Sequence, residues 1–482
     1  MERWLESYMV YFKIQFEIEI LNYSTHNVQK LFFRLLEIVV AIWPALYNGF
    51  PLVTSDSGTY ISSGIEVHIP IDRPVTYGCF VWLTSMGTNL WAVIFIQAII
   101  FTWLVRQLCR QILGDKAKGN VITVIIIIIC FTSSAAWFNS QLMADAFSGM
   151  LVISVLLFYL EKQKNIKFLL AAVILFFLLV HTSHIVELLI ISIILILWFY
   201  RKKQKRLRQE AGKLFLITLS SFLILSSINL VKYHVWGLSP VPHMFIISRM
   251  AEDGVLDKFL AEKCPTEHYS LCDYQGALGD RQWDFMWSNP SLPHSAPNGW
   301  IKMRKEYSSI IIGTLTSPKY LTLNIIKSIE GTFKQLTQIY VGDGLTPQKE
   351  DSPPYRAIDM HFKHQIKEYR STLQSQGNLP VTTFNTLLVI FTIAFGIAVL
   401  FLSGKRETLA KAISKDNWYL IFGITILFLV LNAFITATFS TVIGRLQSRM
   451  FWVFSLICLI FVVDRISSIY QIIRHNKLSS PQ

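Results

Sequence analysis

The chain has 482 residues, 52% of them hydrophobic and only 16% charged, and its mean hydropathy of +0.45 exceeds what soluble domains reach. The formal net charge of +13 does not point to nucleic acid. Its Lys and Arg concentrate in short clusters beside apolar runs, the pattern of cytoplasmic ends of membrane helices.

Residues 1–30 mix charges with scattered aromatics and lack a compact apolar core followed by a cleavage site, so they read as a cytoplasmic interfacial segment rather than a cleavable signal. The first span then acts as its own insertion signal. At roughly 20 apolar residues per span, the sequence predicts ten membrane helices: 31–50, 90–110, 119–136, 142–160, 166–181, 184–200, 213–231, 381–402, 418–439 and 449–466. They form an N-terminal membrane module (31–231, with a first outer loop at 51–89) and a C-terminal one (381–482). Between spans seven and eight, residues 232–380 have ordinary polar composition and helical spacing, as in "SRMAEDGVLDKFLAEKC". They read as a mainly helical soluble outer domain. Cys264 and Cys272 in that segment are expected to form a disulfide, as suits an oxidising compartment.

Short loops orient the chain. Loops 103–118, 161–167, 201–213 and 403–416 hold four, three, seven and four Lys or Arg, whereas loops 51–89, 137–142, 182–183 and 440–449 hold only Arg73, Arg445 and Arg449. Eighteen against three puts the first set, and both termini, on the cytoplasmic side. The second set and residues 232–380 then face outward, into the periplasm if the membrane is a bacterial inner membrane.

Several polar residues are not explained by composition, and most lie at predicted outer helix ends, where charge in or beside the membrane is costly. The first outer loop supplies Asp56, Tyr60, Glu66, His68, Asp72, Arg73 and Tyr77. Helix capping would account for "SDSGTY", and a local Asp72–Arg73 turn with Pro74 opening a helix would account for "IDRP". Asp145 stands one turn inside span four, where Asn139 and Ser140 are better placed to cap. "HTSHIVE" puts His181, His184 and Glu187 at an outer edge, suited to hydrogen bonding an anion more than to a two-ligand metal site. In "FSTVIGRLQSRMFW", Arg445 and Arg449 are four apart and share a helix face, a natural phosphate clamp; lipid headgroup anchoring is the plainer role. Together these residues suit attack on a lipid-linked phosphate substrate, an acid taking a proton from a hydroxyl while arginines stabilise the departing phosphate.

The pattern resembles the polytopic, polyprenyl-phosphate-sugar-dependent glycosyltransferases of the GT-C superfamily. The likeness rests on the first-loop acid in "TSDSGTYI", the helix-edge acid in "AAWFNSQLMADAFSGMLVISVLLFYLEKQK" and the late "GRLQSRMFW", and it covers residues 31 to about 200 and 440 to 455. It implies a GT-C-like fold, a membrane-parallel helix near "DRPVTYGCFVW", a polyprenyl-phosphate-sugar donor held in the membrane lipid, and a glycan, lipid or protein acceptor. It implies Asp56 as base or metal ligand and Asp145 orienting the acceptor or a divalent ion, with Asp72 grouped beside these acids. Arg73, Arg445 and Arg449 would hold the donor phosphate, supported by His181 and His184 and lined by Tyr60 and Tyr77. Ser57 stands where the family often shows a second acid, so use of Mg or Mn is left open. Two other functions compete: a transporter or flippase for a lipid-linked precursor, which should carry polar residues through the depth of several spans, and an acyl or phosphoglycan transferase, which would require a nucleophile-elbow signature that is missing.

Overall fold

The computed structural model describes residues 28–402 and 418–479, and all named elements among them are helices. The expected interfacial segment (1–30, apart from its last three residues) and the cytoplasmic loop 403–416 lie outside the described residues. One isolated parallel bridge, Leu52 to Gln141, is the nearest approach to a sheet among the described residues.

Six helices are long and apolar enough to cross a membrane: Trp91–Lys116, Thr182–Arg201, Lys205–Tyr233, Val381–Val399, Trp418–Phe439 and Gly444–Tyr470. The chain is thus an all-helical, multi-pass membrane protein. Of the other four expected spans, three are shorter than drawn from hydropathy and one keeps its short length. The first breaks between a helix over 28–41 and Trp43–Asn48, because Pro44 cannot continue a helix interior, and it ends at Gly49 in the left-handed region (φ 87°). The segments at 119–136 and 142–160 contract to Gly119–Thr132 and Ala146–Leu160, of 14 and 15 residues, and the one at 166–181 shifts to Lys164–Leu179, also of 16 residues. At 1.5 Å per residue these reach about 21–24 Å, against about 30 Å of hydrocarbon.

One of these short helices is central. Ala146–Leu160 is buried along nearly its whole length and packs against Trp91–Leu113, Lys164–Leu179 and the last helix, Gly444–Ser479. A helix apolar on every side is buried on every side, and this one carries Asp145 at its N-cap.

The bundle has two polar ends. At one, loops expected to be cytoplasmic meet each other: Lys116 pairs with Asp464 at 2.8 Å, Lys167 with Glu210 at 2.7 Å, and Gln111 Nε2 donates to Glu161 at 2.8 Å. At the other, loops expected to be outer meet. Leu52 N donates to Ser140 O (2.8 Å), Leu142 N to Leu52 O (3.0 Å) and Ser57 Oγ to Leu142 O (2.9 Å), so the loops carrying Asp56 and Asp145 are zipped together.

Residues 232–380 pack in two parts. The first builds its own core from Met244, Ile247, Phe259, Leu260, Phe285, Tyr307 and neighbours, and Cys264 is bonded to Cys272 within it. In the second, Tyr355, Ile358, Phe362 and Tyr369 join the core of the membrane bundle, and Gln374 brackets Val53, accepting from its N at 3.0 Å and donating to its O at 2.5 Å. This second part caps the first outer loop instead of belonging to a separate domain.

In that loop, helix Ser57–Ile65 crosses helix Thr76–Ser85 at two glycines so closely that a Cβ on Gly64 would lie 2.0 Å from Gly78 O. Gly64→Ala is therefore expected to destabilise by about 1–3 kcal/mol. Gly423→Ala, in open space on Trp418–Phe439, should leave stability unchanged or slightly raised. Thermal unfolding of the two variants in detergent checks the contrast.

Candidate functional site

Three aspartates and three arginines from four separate stretches of chain converge at the end of the bundle where the outer loops meet. Arg445 sits between two carboxylates: its Nη1 is 3.2 Å from Asp56 Oδ2 and its Nε 3.6 Å from Asp145 Oδ2. Arg73 closes the far side of Asp56, with Nη2 at 3.1 Å from Asp56 Oδ1 and 2.7 Å from Asp72 Oδ2, and its guanidinium lies 5.1 Å over the Tyr60 ring. Asp145 Oδ1 accepts from Arg449 Nη1 at 2.8 Å. The row Asp72, Arg73, Asp56, Arg445, Asp145, Arg449 alternates in sign and sums to zero.

Depth divides the row. Asp56, Arg73 and Arg445 are 19%, 16% and 18% exposed at the side chain, whereas Asp145 is 1% and Arg449 0% exposed. Both terminal nitrogens of Arg449 are engaged, donating to Asp145, to His181 Nε2 at 3.1 Å, to Ser183 Oγ at 3.2 Å and to Asn432 Oδ1 at 2.9 Å. It therefore positions Asp145 and is not available to hold a donor phosphate, in contrast to the clamp expected from sequence. Within the row, Arg445 and Arg73 are the arginines with exposed side-chain surface.

Three other expected binding residues are likewise beneath the surface: Tyr60, only 4% exposed, Tyr77 and His184. Tyr77 is fully buried and donates from Oη to Gln97 Oε1 at 2.6 Å, its ring 4.7 Å from that of Tyr60. His184 is fully buried between Ser148 Oγ (2.9 Å) and Phe177 O (2.7 Å). Both support neighbours, Tyr77 beneath Tyr60 and His184 beneath His181 (ring centroids 5.1 Å apart). His181, 27% exposed, stays within reach of the opening. Glu66 and His68 pair with each other away from the row, Glu66 also meeting His361.

Segments with no obvious polar motif complete the site. Asp343 Oδ2 accepts from Arg445 N at 2.8 Å and so caps the last helix, and Gln335 brackets Ile443 through its O (2.8 Å) and N (3.1 Å). Between these contacts and Thr54, Gly344 adopts φ 78°, which favours glycine, and a Cβ there would lie 3.7 Å from Arg445 Nη1. The "VGDGL" pattern at 341–345, an acid between two glycines, was the available signal.

Burial raises the Asp56 pKa, and the two flanking guanidiniums more than offset this, holding it down at about 2. Burial pushes the Tyr60 hydroxyl up. With both accessible faces of Asp56 and the Asp145 carboxylate taken by guanidiniums, the donor set does not fit a divalent cation, which would meet two fixed positive charges at its ligands. Among the described residues no group of three or more His, Cys, Asp or Glu could hold a metal ion. Beside Arg73, a small cavity of about 10 Å³, room for one water, is lined by Asp72, Thr182, Leu225, Ile228 and Pro240.

Two outcomes are expected. Arg449→Ala strips a buried carboxylate of its partner and should cost about 3–5 kcal/mol, while Arg445→Ala at the rim should cost less; thermal unfolding compares them. Asp56, with its folded pKa depressed, contributes stability that is present above its ordinary value of 3.8 and lost as pH falls towards about 2. Denaturant midpoints of the wild type and Asp56→Asn should therefore differ at pH 6 and converge at the acid end.

Comparison with protein-family models, with curated proteins and with solved structures finds no match to this chain.

Proposed function

We propose that the protein is a membrane glycosyltransferase of GT-C type that moves a sugar from a polyprenyl-phosphate carrier to an acceptor hydroxyl at the outer face of the membrane. The observation that carries this reading is Arg445, a partly open guanidinium poised between Asp56 and Asp145. A phosphate entering the row would compete with the carboxylates for Arg445 and Arg73, since all are oxyanions of similar geometry. When the guanidiniums turn to the phosphate, Asp56 loses the charges that hold its pKa down, and its basicity rises in the complex where a base is needed. The acceptor oxygen then bonds to the anomeric carbon as the carbon–oxygen bond to the phosphate breaks. The acceptor proton passes to Asp56, and the polyprenyl phosphate leaves on Arg445 and Arg73. Attack opposite the leaving group inverts the anomeric carbon.

The separation of Lys- and Arg-rich loops from this end of the bundle supports a non-cytoplasmic face, both termini cytoplasmic, and a ten-span arrangement in which the four short helices complete the bundle. A bacterial inner membrane with a periplasmic site fits that sidedness. The sugar donor's carrier lipid is the partner this site requires, and the acceptor is a glycan, lipid or protein hydroxyl.

Asp56→Asn is expected to reduce transfer by roughly 10²–10⁴-fold, with Arg445→Lys also impaired because one ammonium cannot span both carboxylates. Transfer should persist in EDTA. Cells carrying Asp56→Asn should accumulate unused polyprenyl-phosphate sugar; folded, membrane-inserted Asp56→Asn protein with unchanged lipid-linked sugar pools and surface glycans would overturn the proposal.

A further inference from the structure

The helix Pro318–Leu336 is strongly amphipathic, yet its apolar face is not directed at a protein core. Leu321, Ile325, Ile329 and Phe333 recur every four residues along one face, and all are exposed, Phe333 by 68%. The opposite face is committed: Tyr320 is buried with its hydroxyl donating to Lys258 O at 2.9 Å, and Gly331 is so close to Ala437 that an added Cβ would lie 3.2 Å from it. The helix thus packs against the candidate span Trp418–Phe439, which itself exposes Ile426, Val430 and Phe434. The preceding helix, Arg304–Thr316, extends the bare face with Ile312 and Leu315.

A surface this apolar on an outer segment needs an occupant, since contiguous exposed patches mark an interaction face. Two observations identify it. The face is continuous with a helix apolar enough to span the membrane, so its neighbour across Trp418–Phe439 is lipid. Its far edge also has interfacial chemistry: Lys302, Arg304 and Lys305 beside Ile301 and Ile312 line one shallow groove, and Trp283, Trp287 and Trp300 form a chain of rings 6.0 and 4.7 Å apart next to it. Long cations reaching to headgroups and tryptophans at the headgroup level are how a membrane boundary is held. We propose that the Pro318–Leu336 face is embedded in the outer leaflet of the bilayer, so that the first part of the outer segment lies on the membrane as a monotopic element. Because Gln335 in the last turn of this helix and Asp343 just beyond it hold the start of the last helix at Ile443 and Arg445, the lipid contact also sets the height of the site above the membrane. The proposal requires only that Trp418–Phe439 crosses the bilayer and is independent of the transferase reading.

The test is nitroxide accessibility in the full-length protein in lipid nanodiscs. Exposed Cys79 is changed to Ser, while Cys109, Cys130 and Cys458 are buried and Cys264 is bonded to Cys272. Labels are placed by Ile325→Cys and, separately, Phe333→Cys, with Glu350→Cys as an aqueous reference on a side chain 79% exposed. The expected result is oxygen collision several-fold above that with a water-soluble nickel chelate at Ile325 and Phe333, and the reverse at Glu350. Nickel accessibility at either stripe position equal to that at Glu350 would overturn the proposal. So would dipolar broadening between labels on two copies, which would make a second chain the occupant. Phe333→Cys, at the more exposed position, decides alone if Ile325→Cys does not fold.

Discussion

Arg445 depends on two carboxylates, and much of the outer end of the bundle depends on Arg445. In an environment where an unpaired charge costs several kcal/mol, Asp56 and Asp145 can coexist near each other only because a guanidinium lies between them. Their backbones are brought to that spacing by the Leu52–Ser140 and Leu52–Leu142 hydrogen bonds. The guanidinium is brought there by the cap of Asp343 on its own backbone nitrogen. Removing Asp56, Asp145 or Arg445 leaves charge of one sign in excess.

Below this lies a second layer with a different task. Arg449 donates to the inner oxygen of Asp145 and is itself held in place by Asn432, Ser183 and His181. A rim whose arginines can turn toward a ligand, over a floor whose arginine cannot, suits a site that must exchange partners without collapsing. Pre-organisation of the floor lowers the reorganisation that ligand entry would otherwise require.

The placement of residues 232–380 unites the fold and the site. One part leans on the span Trp418–Phe439 and another part packs into the first loop. The junction between them, 337–348, passes directly beside Arg445. The outer segment is thereby a wall of the site as well as an accessory, and its seating on the membrane is mechanically connected to the charged row.

Hydropathy and charge, properties of local sequence, were enough for the all-helical membrane character, the two polar ends and the cost of placing Asp145 at an apolar helix, because each depends on transfer energies summed along a short stretch. The Cys264–Cys272 pairing was legible for a similar reason, the two residues being close along the chain. Helix lengths were not, since apolar residues continue through Ser133 and around Pro44 where the backbone leaves the helix. Nor could sequence distinguish Arg445 from Arg449: they share a face, but four residues advance a helix by about 6 Å, enough to carry one guanidinium from the rim to the floor. Tyr77 and His184 were displaced from the ligand for the same reason of depth, and Asp343 and Asn432 entered only through contacts between remote segments. What the sequence by itself determined was which residues water or lipid would tolerate; which of them meet, and at what depth, was decided by the tertiary packing, because pairing energy depends on separations of a few ångströms that no linear spacing encodes.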